Sequence, residues 1–368
     1  MKLQPSNPSR RDFLRNAAGT GAALLLTPAF LRPAEPDPRV AQIVAKTIVV
    51  DMHNHIQIHF AKTPADARPD PTVDLADEMK KAGFTTVCQT FNVDTLPNIE
   101  PGDYYKYFLQ ALAYEDRLLK QNNMKRALTL KDLEAAHAAK QPTIIQSVEG
   151  AEFMDGRLDR VEESYHRGLR HLQPLHEKDD MVKPIGDVIT APAHLGGFTQ
   201  AGADAVKECN RLGILVDMAH GTTETVMGAL KVATQPLIMS HTSMARDTDD
   251  ADTKRRSVSK DTARAVAEAG GLIGLWRSRW TSLVEYVNSV KAMTDLIGID
   301  HVAIGTDTDL TASYMLPYTN RIWTDQNEGF FYAVAAEMLK QGFAPEEIGK
   351  FGGGNFCRVF GKVTAGRA

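Results

Sequence analysis

The sequence predicts one large (β/α)8 barrel of the TIM type. Three observations carry that prediction. Short apolar runs alternate with amphipathic helical segments eight times. The runs are apolar throughout, as in parallel strands buried on both faces. No GxGxxG follows the first run, which counts against the runner-up, an open doubly wound sheet. A chain of 368 residues, 43% hydrophobic and 24% charged, suits one such barrel and is ordinary for a globular protein.

The elements follow in order. Residues 48–51 form the first strand. Residues 74–82 form a helix, with Leu75, Met79 and Ala82 on one apolar face. Residues 85–91 are the second strand, followed by helices at 104–119 and 131–139. The third strand, 143–148, ends at Glu149-Gly150. A helix at 158–168 leads to the fourth strand, 169–175, which ends at His176. Residues 177–198 are a long polar loop, and loops of that length in a compact domain tend to be functional. After a helix at 200–212, the fifth strand, 213–219, ends at His220. The helix at 222–232 has Thr222 or Thr223 as its N-cap. The sixth strand, 236–240, ends at His241. A charged loop, a helix at 260–269, the seventh strand at 271–276 and a helix at 283–297 follow. The eighth strand, 301–305, runs into Thr306-Asp307-Thr308-Asp309, and helices at 327–341 and 355–363 close the chain.

Residues 1–35 are assigned outside the fold, leaving 36–368 as the barrel domain. Ser9-Arg10-Arg11-Asp12-Phe13-Leu14 and the Ala/Gly/Leu segment from Ala17 to Leu26 resemble a twin-arginine export signal. The expectation is passage through the Tat export machinery to the periplasm or beyond, with a membrane tether if the signal stays attached. Cys88, Cys209 and Cys357 are odd in number and far apart, so no disulfide framework is expected. A net charge of −4 supplies no basic field for nucleic acid.

The chemistry starts at Val49-Val50-Asp51-Met52-His53-Asn54-His55-Ile56. On a strand, Asp51, His53 and His55 project to one side, and two imidazoles two residues apart are spaced to grip one metal ion. Metal-type side chains recur at six of the eight predicted strand ends: His53 and His55, Glu149, His176, His220, His241 and Asp307. In a barrel these ends converge on one face, where active sites lie. Five of the 11 histidines stand at those corners, and the other six are read as structural: His59, His137, His166, His171, His194 and His301. Neutral imidazoles with carboxylates suit Zn²⁺ or a similar ion. The donors are too many for one tetrahedral site and suit two ions sharing a carboxylate. A water between two ions loses its proton near neutrality and becomes a hydroxide nucleophile.

With these blocks in place the chain resembles the membrane dipeptidase family (renal dipeptidase-like, peptidase family M19), metal-dependent barrels of the amidohydrolase type. The resemblance spans about residues 45–363. It rests on VVDMHNHI, SVEGAEF at 147–153, LQPLHE at 172–177, GILVDMAH at 213–220, PLIMSHTS at 236–243, RRSVSKD at 255–261, HVAIGTDTD at 301–309 and GGNFCRVF at 353–360. It implies that His53 and His55 hold one zinc, that His220 and His241 hold the other, and that Glu149 bridges both. It implies that His176 contacts the substrate, that Arg256 pairs with a terminal carboxylate and that Asp307 is the acid/base. Arg255 adjoins Arg256, and Asp309 follows Asp307 at strand spacing, so periodicity does not choose between Asp307 and Asp309. Better-known members carry Asp where this chain has His55, which removes one negative charge from the first metal site. The resemblance implies an exported dipeptidase with two zinc ions per chain, acting on dipeptides with a free C-terminus, and a homodimer. Two readings stand beside it: an amidohydrolase-type amidase or lactonase on a non-peptide small molecule, and a catalytically silent binding protein.

Overall fold

The computed structural model describes residues 37–56, 72–94, 99–100, 102–179, 181–277, 280–311 and 316–366. The paired arginines, the apolar segment after them and His59 lie outside these residues. Pro38–Ala368 form one compact unit, and all that follows concerns it.

The barrel strands are β1 Val50–His55, β2 Thr86–Asn92, β3 Thr143–Glu149, β4 Leu169–Gln173, β5 Leu215–Val216, β6 Ile238–Thr242, β7 Leu272–Leu275 and β8 Val302–Ile304. They run parallel, in the order β5-β4-β3-β2-β1-β8-β7-β6. The seam between β5 and β6 closes through one bridge, Asp217 to Ile238, and a 2.7 Å bond from the Met218 N–H to the Ile238 carbonyl. The result is a nearly closed eight-stranded (β/α)8 barrel. A short β9, Thr308–Asp309, continues beyond β8 and pairs with β1.

Helices start where side-chain oxygens accept the N–H groups that a first turn leaves unpaired. Asp74, Thr199, Thr222, Ser259 and Ser282 do so, which makes Thr222, rather than Thr223, the cap of its helix. The last helix, Asn355–Thr364, buries Phe356, Val359, Phe360 and Val363 against Val50, Leu215, Ile238 and Leu272. Those four partners begin their strands, so this helix closes the N-terminal end of the barrel and leaves the other end open. Each large side chain buried there contributes on the order of 1.5–3 kcal/mol.

The first and fifth strands differ most from their expected spans. The first continues to His55, and its register against β2 slips by one residue between Asp51 and Asn54. The fifth is only Leu215–Val216. Asp217 ends it, because one carboxylate oxygen accepts the N–H groups of both Ala219 (3.0 Å) and Ser240 (2.9 Å). That folds residues 217–219 out of the strand and ties them to β6. A close approach also shapes β6: a Cβ on Gly305 would lie 1.6 Å from the Ser240 carbonyl oxygen. Only glycine lets the end of β8 meet the backbone that carries His241. The three cysteines are free: Cys88 and Cys209 are buried, and Cys357 is half-buried.

Candidate metal centre

The C-terminal ends of the strands open into a cavity of about 1040 Å³. His55, Glu149, His176, His220, His241, Arg256 and Asp307 all line it. His53, fully buried, stands directly behind, its Nε2 3.0 Å from that of His55. His220 and His241 form a second pair, with Nε2 atoms also 3.0 Å apart. Glu149 lies between the pairs. Its Oε2 is 3.7 Å from His53 and its Oε1 is 3.5 Å from His220 and 3.9 Å from His241. Two ligands on one tetrahedral zinc at ordinary bond lengths sit about 3.3 Å apart, so both imidazole pairs are spaced for an ion.

The backbone delivers these side chains in unusual conformations. His220 has φ 67° and Asp307 has φ 52°. Left-handed backbone is uncommon outside glycine and clusters at functional sites. Both lie a few residues beyond a strand, His220 after β5 and Asp307 between β8 and β9.

A polar layer beneath fixes the donors. Gln173 donates to Glu149 Oε1 at 2.7 Å and to the Leu175 carbonyl at 3.0 Å. Ser240 Oγ lies 3.0 Å from His241 Nδ1 and 3.3 Å from His53 Nδ1. Such partners orient imidazole ligands.

Electrostatics hold one imidazole of each pair in its ligand-competent form. Burial, reinforced by neighbouring imidazoles, holds His53 and His220 well below the usual histidine range. They are therefore neutral, with free lone pairs. Burial opposes the charge on Asp307, but the His55 hydrogen bond and the surrounding imidazoles hold its carboxyl well below the usual carboxylate range. Burial also opposes charge on His55, and the Asp307 partner outweighs it, raising His55. His176 is pushed up to about 10: burial opposes its charge, and the Glu149 and Asp94 carboxylates overcome it. Two imidazole pairs around a shared carboxylate are a donor set that fits two first-row divalent ions.

Sequence spacing left some choices open, and the geometry separates them. Asp307 Oδ1 lies 3.1 Å from His55 Nε2, whereas Asp309 turns its Oδ1 to the Thr311 N–H (2.8 Å) and hydroxyl (2.7 Å). Arg255 is tied to Asp252 at 2.8 Å, while Arg256 faces Glu177 at 3.6 Å across the cavity rim. Asp51 does not join the imidazoles. Its carboxylate accepts from the Thr306 N–H and hydroxyl and from the Asn54 amide, binding β1 to the end of β8.

Two residues at the site were not singled out by spacing. Asp94, fully buried just beyond β2, places both carboxylate oxygens 2.8 Å from His176 Nδ1. Trp276, just beyond β7, donates its indole N–H to Asp307 Oδ2 at 2.9 Å. Both follow strands whose ends carried no assigned side chain, and that gap in the pattern was the available signal.

A (β/α)8 barrel with this mouth defines a metal-dependent hydrolase. A family model for membrane dipeptidase (peptidase family M19) matches residues 38–368, and the chain belongs to that family. Among curated relatives, dipeptidase verJ of Clonostachys rogersoniana is 28% identical over 208 residues, which is 54% of this chain and 50% of that protein. The match thus spans half of that relative's length. The fold is similar to that of an amidohydrolase from Pseudomonas aeruginosa (TM-score 0.71, 18% identity, 88% of this chain and 98% of that one). It is also similar to a metallo peptidase from Rhodobacter sphaeroides liganded with a phosphinate mimic of the dipeptide L-Ala-D-Ala (TM-score 0.65, 22% identity, 86% and 99%).

Proposed function

We propose that this chain is an exported zinc dipeptidase with two ions per chain, hydrolysing the amide bond of dipeptides that carry a free C-terminal carboxylate. The observation that carries the reading is Glu149 seated between two imidazole pairs in the mouth of the barrel. His53 and His55 would hold one ion and His220 and His241 the other, with Glu149 shared. Bound there, zinc supplies Lewis acidity to the scissile carbonyl and lowers the pKa of an attacking water.

The chain's own groups do the rest. Arg256 captures the substrate carboxylate; its side chain is 39% exposed and only loosely engaged by Glu177, so it is free to turn inward. His176 points Nε2 into the cavity and meets the carbonyl oxygen as negative charge develops on it. Asp307, ionised before reaction, takes the proton of the attacking water and returns it to the leaving amine. Export follows in this reading from the twin arginines, Arg10 and Arg11. Cell fractionation of an Arg10→Lys/Arg11→Lys variant checks it, with retention in the cytoplasm expected.

A second reading draws on cavity size. About 1040 Å³ is at the upper end for small-ligand pockets and exceeds the needs of a dipeptide. That favours, as the alternative, an amidase or lactonase on a larger non-peptide substrate. The deciding experiment is amine release from L,L- and L,D-dipeptides by the zinc-loaded protein, with a chelator control. Chelator-sensitive turnover supports the dipeptidase. Absence of turnover with two zinc ions bound rejects it and moves the substrate to the larger class.

A further inference from the structure

Six strand ends carry the clustered imidazoles and carboxylates, and the remaining two, β2 and β7, end in residues that grip one of them. The contact beyond β2 is the more completely buried. Asp94 has no exposed surface, and both its oxygens lie 2.8 Å from Nδ1 of His176, a residue 82 positions further along. The Lys178 ammonium donates to the Asp94 backbone carbonyl at 3.0 Å, so the loop that carries His176 is tied to the same residue twice.

The consequence is chemical. An ionised carboxylate only accepts hydrogen bonds, so Nδ1 must carry a proton. The ring is then left with Nε2 facing Glu149 at 3.5 Å and the open cavity. An edge-on contact with the His220 ring, 5.0 Å between centroids, limits rotation about the remaining bond. Without Asp94 the ring could present either nitrogen to the cavity, in either tautomer.

We propose that Asp94 is the positioning residue of His176, anchoring its Nδ1–H and ring plane so that the Nε2–H on the far side of the ring donates to the reacting carbonyl oxygen. Asp94 touches neither substrate nor ions and acts only through the imidazole. The proposal rests on the reading of His176 as a substrate contact.

The test is Asp94→Asn in the full chain loaded with zinc, alone and combined with His176→Ala. The amide is isosteric and can turn its NH₂ to Nδ1, which takes the proton off that nitrogen and leaves a neutral ring, a weaker and less firmly held donor at Nε2. We expect ¹⁵N spectra to show His176 Nδ1 protonated in the parent and unprotonated in the variant. We expect kcat to fall about 10- to 100-fold, KM to move by less than about threefold, and zinc per chain to stay constant. In the His176→Ala background, adding Asp94→Asn costs no more than about twofold, because the residue through which it acts is gone. Losses that multiply in the double variant, or a ring proton that stays on Nδ1 with kcat unchanged, overturn the proposal. So does loss of zinc with the substitution, which marks a structural role. If the unmodified protein releases no amine from dipeptides, the dipeptidase reading falls, and the ring-proton position still decides for or against Asp94.

Discussion

Replacing Trp276 with phenylalanine deletes one hydrogen bond and keeps an aromatic wall on the cavity. The bond runs from the indole N–H to Asp307 Oδ2 at 2.9 Å, while Oδ1 faces His55 at 3.1 Å. Asp307 sits in left-handed backbone at φ 52°, so its side chain is not held by ordinary strand geometry and depends on its partners. A hydrogen bond to a buried charge contributes about 1.5–3 kcal/mol. If the carboxylate is the acid/base, loss of that bond leaves it misdirected. Each 1.4 kcal/mol is about tenfold in rate, so kcat should fall about 10- to 150-fold. The assay is steady-state hydrolysis of a dipeptide at saturation, with zinc per chain measured on the same sample. Zinc should stay constant, because the indole contacts the oxygen that faces away from the imidazoles. A kcat within about twofold of the parent would refute the reasoning, and so would a loss of rate wholly matched by a loss of zinc.

Three further predictions follow from the same geometry. His55→Ala removes one partner of the first imidazole pair and should lower the zinc bound per chain; unchanged zinc by elemental analysis contradicts this. Arg256→Lys replaces a bidentate fork with a point charge and should raise KM more than it lowers kcat for substrates with a free C-terminus. An equal loss with carboxyl-blocked substrates rejects the anchor role. Away from the site, burial pushes the Glu115 carboxyl up from 4.5 to about 7, against the pull of Arg126. A carboxyl whose folded value is raised stabilises the protein below pH 4.5 and loses that contribution as the pH climbs through 7. That gap is worth about 3 kcal/mol. In Glu115→Gln, urea unfolding at pH 5 and pH 8 should differ by about that much less than in the parent, since Arg126 keeps Asp116 at 2.8 Å. An unchanged pH dependence counts against it.

The strands were legible because a parallel strand buried on both faces must be apolar throughout, and that pattern survives in the sequence without help from its neighbours. The histidines were legible for a related reason: a polar residue ending such a run stands at the mouth. Asp94 was not, because Asn92-Val93-Asp94 reads as an ordinary turn and its partner is 82 residues away. Trp276 read as the last apolar residue of its strand, since nothing local signals that its N–H is spent on a carboxylate. The short fifth strand escaped for the same reason: Asp217 ends it by accepting from Ser240, on a different strand.

Asp307 could serve two purposes, and the partners found only in three dimensions separate them. Its Oδ1 is 3.1 Å from His55 Nε2 and 3.8 Å from His53 Nε2, within the reach of a third donor to the first pair. That matters because His55 brings no negative charge of its own to this pair. A carboxylate that gave both oxygens to an ion would be a poor proton carrier. Trp276 engages Oδ2 from the far side, which leaves a single oxygen turned toward the imidazoles. One oxygen anchored in the wall and one facing the cavity is the arrangement a proton shuttle needs, with the carboxylate fixed in place and one lone-pair face open to the reacting atoms. Asp94 does the same for His176, anchoring Nδ1 and leaving Nε2 outward. In both cases one atom of the side chain is bound to the barrel and the other is presented to the cavity. The two strand ends that hold no candidate metal ligand are therefore where this orientation is set.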